Sequence, residues 1–191
     1  MSDGREDEML DRFTTRATAA GAEVHRFRTR GEALEFLLPL LAGEGVADEP
    51  GRYAVWADCP FLRGIERGEL SKVPGLKFEV SRELAARAKF GISQMQWALC
   101  DTGSLVQDQS AVEQRLVSSL TEIHIALVPS GNVLPGKSAL FERMSPKTSR
   151  YIAFVTGPSR TADIERVLTI GVHGPQRLIV VFVDELGGEN R

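Results

Sequence analysis

Two cysteines, three histidines, two tryptophans and two tyrosines in 191 residues leave little material for several common kinds of chemistry. Cys59 and Cys100 stand without C-x-x-C spacing or a neighbouring ligand cluster, so this chain alone builds neither a disulfide framework nor a zinc or iron-sulfur site. Both read as buried apolar thiols. No run approaches the ~18 apolar residues of a spanning helix, and the acidic start "MSDGREDEML" lacks the positive flank and apolar stretch of a secretory signal. These absences predict a cytoplasmic protein with no membrane span. Positive charge is also short: the formal net charge is -3 and the sequence pI is near 5.7, which argues against a nucleic-acid or anionic-membrane surface. A small substrate or an uncharged protein partner fits better. Internal repeats, a G-x-S-x-G elbow, an H-E-x-x-H helix and a dinucleotide G-x-G-x-x-G are all missing, which removes the commonest hydrolase, zincin and Rossmann readings.

What is present is apolar material for one sizeable core, 42% of the residues, and the length predicts one domain over residues 1–191. Residues 1–45 read as a helical part and residues 52–185 as an α/β core. Leu10, Phe13 and Ala17 fall at helical spacing before Gly21. Thr29 with Glu32 forms a capping box ahead of Leu34, Leu37, Leu38 and Leu41, in a helix over 30–41 that Pro39 is expected to shorten or kink. Strands are predicted at 22–27, 52–58, 76–81, 97–100, 104–107, 124–129, 151–157 and 178–184. Helical patterns at 81–89, 111–120, 138–144 and 161–172 separate them. Several strands are continuously apolar, so the expected fold is α/β, an open and mainly parallel sheet with helices on both faces. Ligands in such sheets gather beyond the carboxyl ends of the strands, and loops that follow a strand merit first inspection.

"GNVLPGKS", residues 131–138, satisfies the phosphate-loop pattern G-x-x-x-x-G-K-[ST]. Such a loop aims successive backbone N–H groups at phosphates, and Pro135 removes one of them, while Val133 and Leu134 are bulky. The preferred reading is a surface connection of two turns leading into a helix at Lys137 or Ser138.

Two other strand-following loops hold candidate binding groups. In "LCDTGSLV", Gly103 lets a ligand approach the main chain, Thr102 and Ser104 offer hydroxyl donors to an anion, and Asp101 is a candidate general base. An ordinary hairpin turn accounts for the same residues. In "VTGPSRTADIERVLTIGVHGP", Gly157 and Pro158 turn the chain out of a strand, and Ser159 or Thr161 caps the predicted helix, whose buried stripe would be Ile164, Val167, Leu168 and Val172. The first-turn N–H groups, the Ser159 hydroxyl and the Arg160 guanidinium would suit a carboxylate or phosphate. Asp163 repels an anion there unless Arg160 pairs with it. His173 is a second catalytic candidate, although a helix stop at His173-Gly174-Pro175 explains it equally well. His25 and His124 carry no partner signal.

The segment "GPSRTADIERVLTIGVHGP" resembles the carboxyl-terminal signature of the LUD-domain family, the lactate-utilization proteins of the LutC type. "ALCDTGSLV" resembles the family's central segment, which typically has Glu where this chain has Asp101, and "HIALVPSGNVLP" resembles the strand that follows. The resemblance implies a fold similar to the ribose-phosphate isomerase, glucosamine-phosphate deaminase and CoA-transferase superfamily. It also implies a role in oxidation of L-lactate to pyruvate beside an iron-sulfur oxidoreductase and a ferredoxin-like protein. Clusters would then belong to those partners, with no cofactor in this chain. A free-standing small-anion protein of the sugar-phosphate or CoA-ester type is the alternative.

Overall fold

A computed structural model describes residues 3–161, 169–170 and 174–187. The strands are β1 (Glu23–Phe27), β2 (Tyr53–Trp56), β3 (Leu76–Lys77), β4 (Ala88–Gln94), β5 (Trp97–Leu99), β6 (Ser104–Asp108), β7 (Ile123–Pro129), β8 (Val133–Leu134), β9 (Ile152–Val155), β10 (Arg160–Thr161), β11 (Thr169–Ile170) and β12 (Arg177–Val183). The helices are α1 (Asp3–Ala19), α2 (Arg30–Gly43), α3 (Arg67–Leu70), α4 (Arg82–Ala86), α5 (Val112–Ser119) and α6 (Lys137–Phe141).

Six strands form an all-parallel sheet in the order β1-β12-β7-β4-β2-β3. The continuous apolar runs of β7 and β12 lie at its centre, as burial on both faces requires. On one face Ile123, Ile125, Leu127, Ile179, Val181 and Val183 meet Ala33, Leu37 and Leu41 of α2. The other face is shared. Ala126, Val128, Val180 and Phe182 pack on Leu10, Phe13 and Ala17 of α1, while Val55 and Ala57 meet Val117 of α5. Phe13 stands edge-on to Phe182 with ring centroids 5.2 Å apart, and burying a side chain of that size stabilises the fold by roughly 1.5–3 kcal/mol.

A second sheet, β8-β5-β6-β9, lies on the α1 side. Its strands pair antiparallel at β5-β6 and β6-β9 and parallel at β5-β8. Ala98, Leu105 and Val133 face α1, and Trp97, Leu99, Val106 and Leu134 face Leu140 and Met144 at and just beyond α6. The predicted strands at 97–100, 104–107 and 151–157 therefore belong to this sheet rather than to the parallel one.

Four expectations need correction. The helix predicted over 81–89 ends at Ala86, and β4 begins at Ala88 as a central strand absent from the sequence reading. Its face towards α5 carries Gly91 and Ser93 in place of branched residues, which hides the alternation. A Cβ on Gly91 would lie 2.1 Å from the Val117 carbonyl oxygen, so the helix crosses too closely for anything larger. The strand predicted over 76–81 shrinks to Leu76–Lys77. Pro39 does not shorten α2, which continues to Gly43, because the position is exposed and the carbonyl it leaves unpaired, on exposed Glu35, can meet water. Of the helix predicted over 161–172, the described ends Thr161 and Thr169–Ile170 are strand, Arg160–Thr161 pairing antiparallel with Thr169–Ile170. Asp163, Ile164, Val167, Leu168, Val172 and His173 lie outside the described residues.

Candidate functional site

The two candidate turns meet on the carboxyl end of α1. Gly103 has φ +70°, and a Cβ there would fall 2.5 Å from the Ala17 nitrogen. Gly157 has φ +71°, and a Cβ there would fall 2.4 Å from the Ala20 carbonyl oxygen. Both turns thus need glycine for conformation and for space. The Ser104 and Thr156 hydroxyls, 2.6 Å apart, tie the start of β6 to the residue before Gly157.

Beyond that shared seat the turns differ. Around Gly157 two donors are engaged: Arg160 Nη2 donates to the Ala20 carbonyl at 2.7 Å, and the Ser159 N–H donates to the Pro175 carbonyl at 2.8 Å. Arg160 therefore completes the end of α1, a place where a cation also complements the helix dipole. Ser159 rests against Gly174, where a Cβ would approach its own Cβ to 3.1 Å. A pocket of about 600 Å³ touches this turn through Gly174 and opens between the amino ends of β4, β7 and β12. The turn consequently sits at the amino edge of the parallel sheet, because the strand it follows, β9, belongs to the second sheet.

Around Asp101 a polar atom is left over. The half-buried carboxylate lies against Gly136, whose missing Cβ would sit 2.6 Å from Asp101 Oδ2, and Asp101 Oδ1 is buried without a hydrogen-bond partner among the described residues. A carboxylate oxygen shielded from water and unpaired is costly, so it marks a place where a donor is needed. Thr102 beside it is exposed. The neighbouring Cys100 thiol is raised chiefly by burial, with Arg12 of α1 acting the other way, so a guanidinium stands within electrostatic reach of this turn. Arg12 and Gly136 are members of this site that the sequence reading missed, for they come from elements distant in the chain.

The phosphate-loop look-alike forms the wall of the same site. Val133 and Leu134 are buried and pair with Ala98 and Leu99, and the Cys100 N–H donates to the Leu134 carbonyl at 2.9 Å. Lys137 folds its Nζ to 5.4 Å from the Phe154 ring centroid. The expected surface connection of two turns is thus corrected at residues 133–134, which are a buried strand because their apolar side chains fill the second sheet's core, while the helix does begin at Lys137 as expected.

At the carboxyl edge of the parallel sheet, glutamine amides close the loops. Gln94 Oε1 accepts the Phe61 N–H at 2.7 Å, Gln107 Nε2 donates to the Gln94 carbonyl and to Gln114 Oε1, both at 2.8 Å, and Gln114 Nε2 donates to the Asp58 carbonyl at 3.1 Å. A pocket of about 300 Å³ lies nearby between Phe27, Arg28 and Asp184, with Arg26 bound to Asp7 and Asp184. Deeper in the sheet His124 is fully buried. Its Nε2 is 2.9 Å from Ser93 Oγ and its Nδ1 has no partner among the described residues; burial lowers its pKa to about 4.

Among the described residues no three His, Cys, Asp or Glu side chains converge as metal ligands, and no helix is long and apolar enough to cross a membrane. Cys59 and Cys100 are each buried, Cys59 with its pKa raised by burial.

Residues 10–183 match the model of a family described as the LUD domain. A protein named Lactate utilization protein C from Exiguobacterium sp. strain AT1b is 36% identical over 114 residues, covering 56% of this chain and 50% of that protein. Lactate utilization protein C 1 of Bacillus mycoides is 35% identical over 109 residues, covering 54% of this chain and 47% of that protein. The chain thus spans about half the length of the curated relatives it matches. A crystal structure of a DUF162 family protein from Deinococcus radiodurans superposes with a TM-score of 0.62 at 20% identity, over 93% of this chain and 98% of that one. At that identity the likeness concerns the fold.

Proposed function

We infer that this chain, which belongs to the LUD-domain family, is a component of an L-lactate utilization system, in which an iron-sulfur oxidoreductase and a ferredoxin-like protein take up the electrons released as lactate becomes pyruvate. The observation that carries this reading is the family match over residues 10–183 together with relatives named for lactate utilization. Oxidation of the hydroxy acid releases two electrons and two protons; the electrons go to clusters on the partners, since such clusters take about four thiolates each and this chain has two cysteines. Asp101 is the proposed acceptor for a hydroxyl proton, because its Oδ1 is the buried carboxylate oxygen left without a donor. Thr102 and the Gly103 main chain line the approach, and His173 is the proposed second acid-base group. Ser104, Gly157, Ser159 and Arg160 shape the site by holding the turns on α1, and Thr161 and Asp163 continue the binding segment. Deleting the gene is expected to abolish growth on L-lactate as sole carbon source, with restoration by the wild-type gene; undiminished growth would dismiss the reading.

One observation favours the alternative of a free-standing small-anion protein: both turns share the end of α1. Inorganic phosphate or a short carboxylate soaked into crystals should then bind at Asp101–Ser104, and an anion found away from both turns would exclude it.

A further inference from the structure

The second sheet ends at β9, which pairs with β6 on one side and with nothing on the other among the described residues. An unpaired edge presents a row of N–H and C=O groups to any strand that approaches. Around this edge most of the large exposed apolar side chains are found. Phe141, Tyr151 and Phe154 are 48%, 51% and 41% exposed, three of the five large hydrophobic side chains left in water among the described residues. The same stretch is basic: residues 137–154 hold Lys137, Arg143, Lys147 and Arg150, all exposed, against Glu142 alone, in a chain whose net charge is -3. Cations also sit over the rings, Lys137 over Phe154 at 5.4 Å and Arg115 of α5 over Tyr151 at 5.1 Å.

Apart from Lys137, which follows Gly136 in the wall of the candidate site, none of these groups takes part in that site. Charge decides what kind of occupant fits. Pairing of β9 with a second copy about a two-fold axis would bring two surfaces of the same positive sign together, and like charges in proximity oppose such contact. Nucleic acid would need more positive charge than this patch holds on an acidic protein. Exposed aromatics at the centre with cations around them are the composition of a protein docking face. We propose that the β9 edge with Phe141, Tyr151 and Phe154 docks a protein of different sequence whose contact surface is apolar at its centre and acidic at its rim, adding a segment alongside β9. This face adjoins the Asp101 turn only through Lys137, and the inference does not require the lactate reading.

The test uses the full chain, tagged in its own host and treated with a carbodiimide, which joins a lysine amine directly to a carboxylate. Mass spectrometry is expected to find Lys137 and Lys147 joined to Asp or Glu of another protein. The yield should fall at least about fivefold in Arg150→Glu and in Phe154→Ser, and also as salt rises from about 0.05 to about 0.5 M. Urea midpoints of both variants report folding, and Arg150→Glu, on an exposed loop, preserves the test if Phe154→Ser destabilises the sheet. The proposal is overturned if no other protein is joined, if these lysines join only carboxylates of this chain or a second copy, if a partner is held through Lys72, Lys77 or Lys89 instead, or if nuclease abolishes the product. Whether the joined protein carries iron-sulfur clusters bears on the lactate reading, which growth on L-lactate tests separately.

Discussion

The six-stranded sheet and the four-stranded sheet stand side by side on α1, and they spend their polar groups differently. In the parallel sheet β7 and β12 are covered on both faces, the glutamines at the carboxyl edge satisfy one another and the nearby main chain, and the buried His124 is held neutral. In the smaller sheet one edge is open, three large apolar side chains are in water, and a carboxylate oxygen is buried without a partner. Both sheets leave buried polar atoms unpaired among the described residues, Trp56 Nε1 and His124 Nδ1 in the first and Asp101 Oδ1 beside the second, but only the one at Asp101 belongs to a carboxylate. We propose ligand chemistry at the turns of the smaller sheet because Asp101 Oδ1 is a carboxylate oxygen without a described donor, although the loops at the carboxyl ends of parallel strands are the usual place for it.

Substitutions in the parallel sheet should be the most damaging. Gly91→Ala puts a methyl group 2.1 Å from the Val117 carbonyl oxygen, and a loss of about 3 kcal/mol or more is expected in urea unfolding. A loss below about 1 kcal/mol would mean that α5 moves away easily and that this sheet is less rigid than its packing implies.

His124 supplies the next effect. Its folded pKa of about 4 lies below the ordinary value of 6.5, so the unfolded chain binds the extra proton first as pH falls. Stability is full above about pH 6.5 and is lost as pH drops towards 4, by up to roughly 3 kcal/mol. His124→Gln should flatten this part of the profile, measured as urea midpoints between pH 7.5 and about 4.5. An unchanged slope would place the titration elsewhere.

In the smaller sheet the structural and chemical turns can be separated. Arg160→Ala removes the bond to the Ala20 carbonyl and should cost about 1 kcal/mol, with growth on L-lactate retained. Growth lost at unchanged stability would move the chemistry to the Gly157 turn. Least destabilising of all should be Asp101→Asn, within about 0.5 kcal/mol of wild type, since the carboxylate has no described partner at Oδ1.

The parts of this arrangement that could be read from the chain are those with local signatures. The Thr29–Glu32 capping box is present with both of its bonds, as Thr29 and the three-residue spacing to Glu32 predict. The runs ending at Pro129 and Val183 are central parallel strands, as their unbroken apolar character implies. What escaped reading depended on contacts between distant segments. Gly91 and Ser93 disguise β4 because α5 demands small residues there, a constraint set some 26 positions downstream. The division into two sheets is invisible because a three-residue strand such as β5 carries no mark of its neighbours. The turns at Gly103 and Gly157 were legible as glycine turns, yet their meeting on α1 follows from Ala17 and Ala20. Arg160 suits an anion by residue type, and the Ala20 carbonyl that engages its Nη2 could not be read locally because it lies 140 residues earlier.

The central claim is that the unmet carboxylate, rather than the satisfied turn beside it, carries the chemistry. It is tested most directly by the growth rate on L-lactate of a strain whose chromosomal gene carries Asp101→Asn, at protein abundance equal to wild type. The account predicts a fall of at least about tenfold with unfolding unchanged. Growth equal to wild type would contradict it.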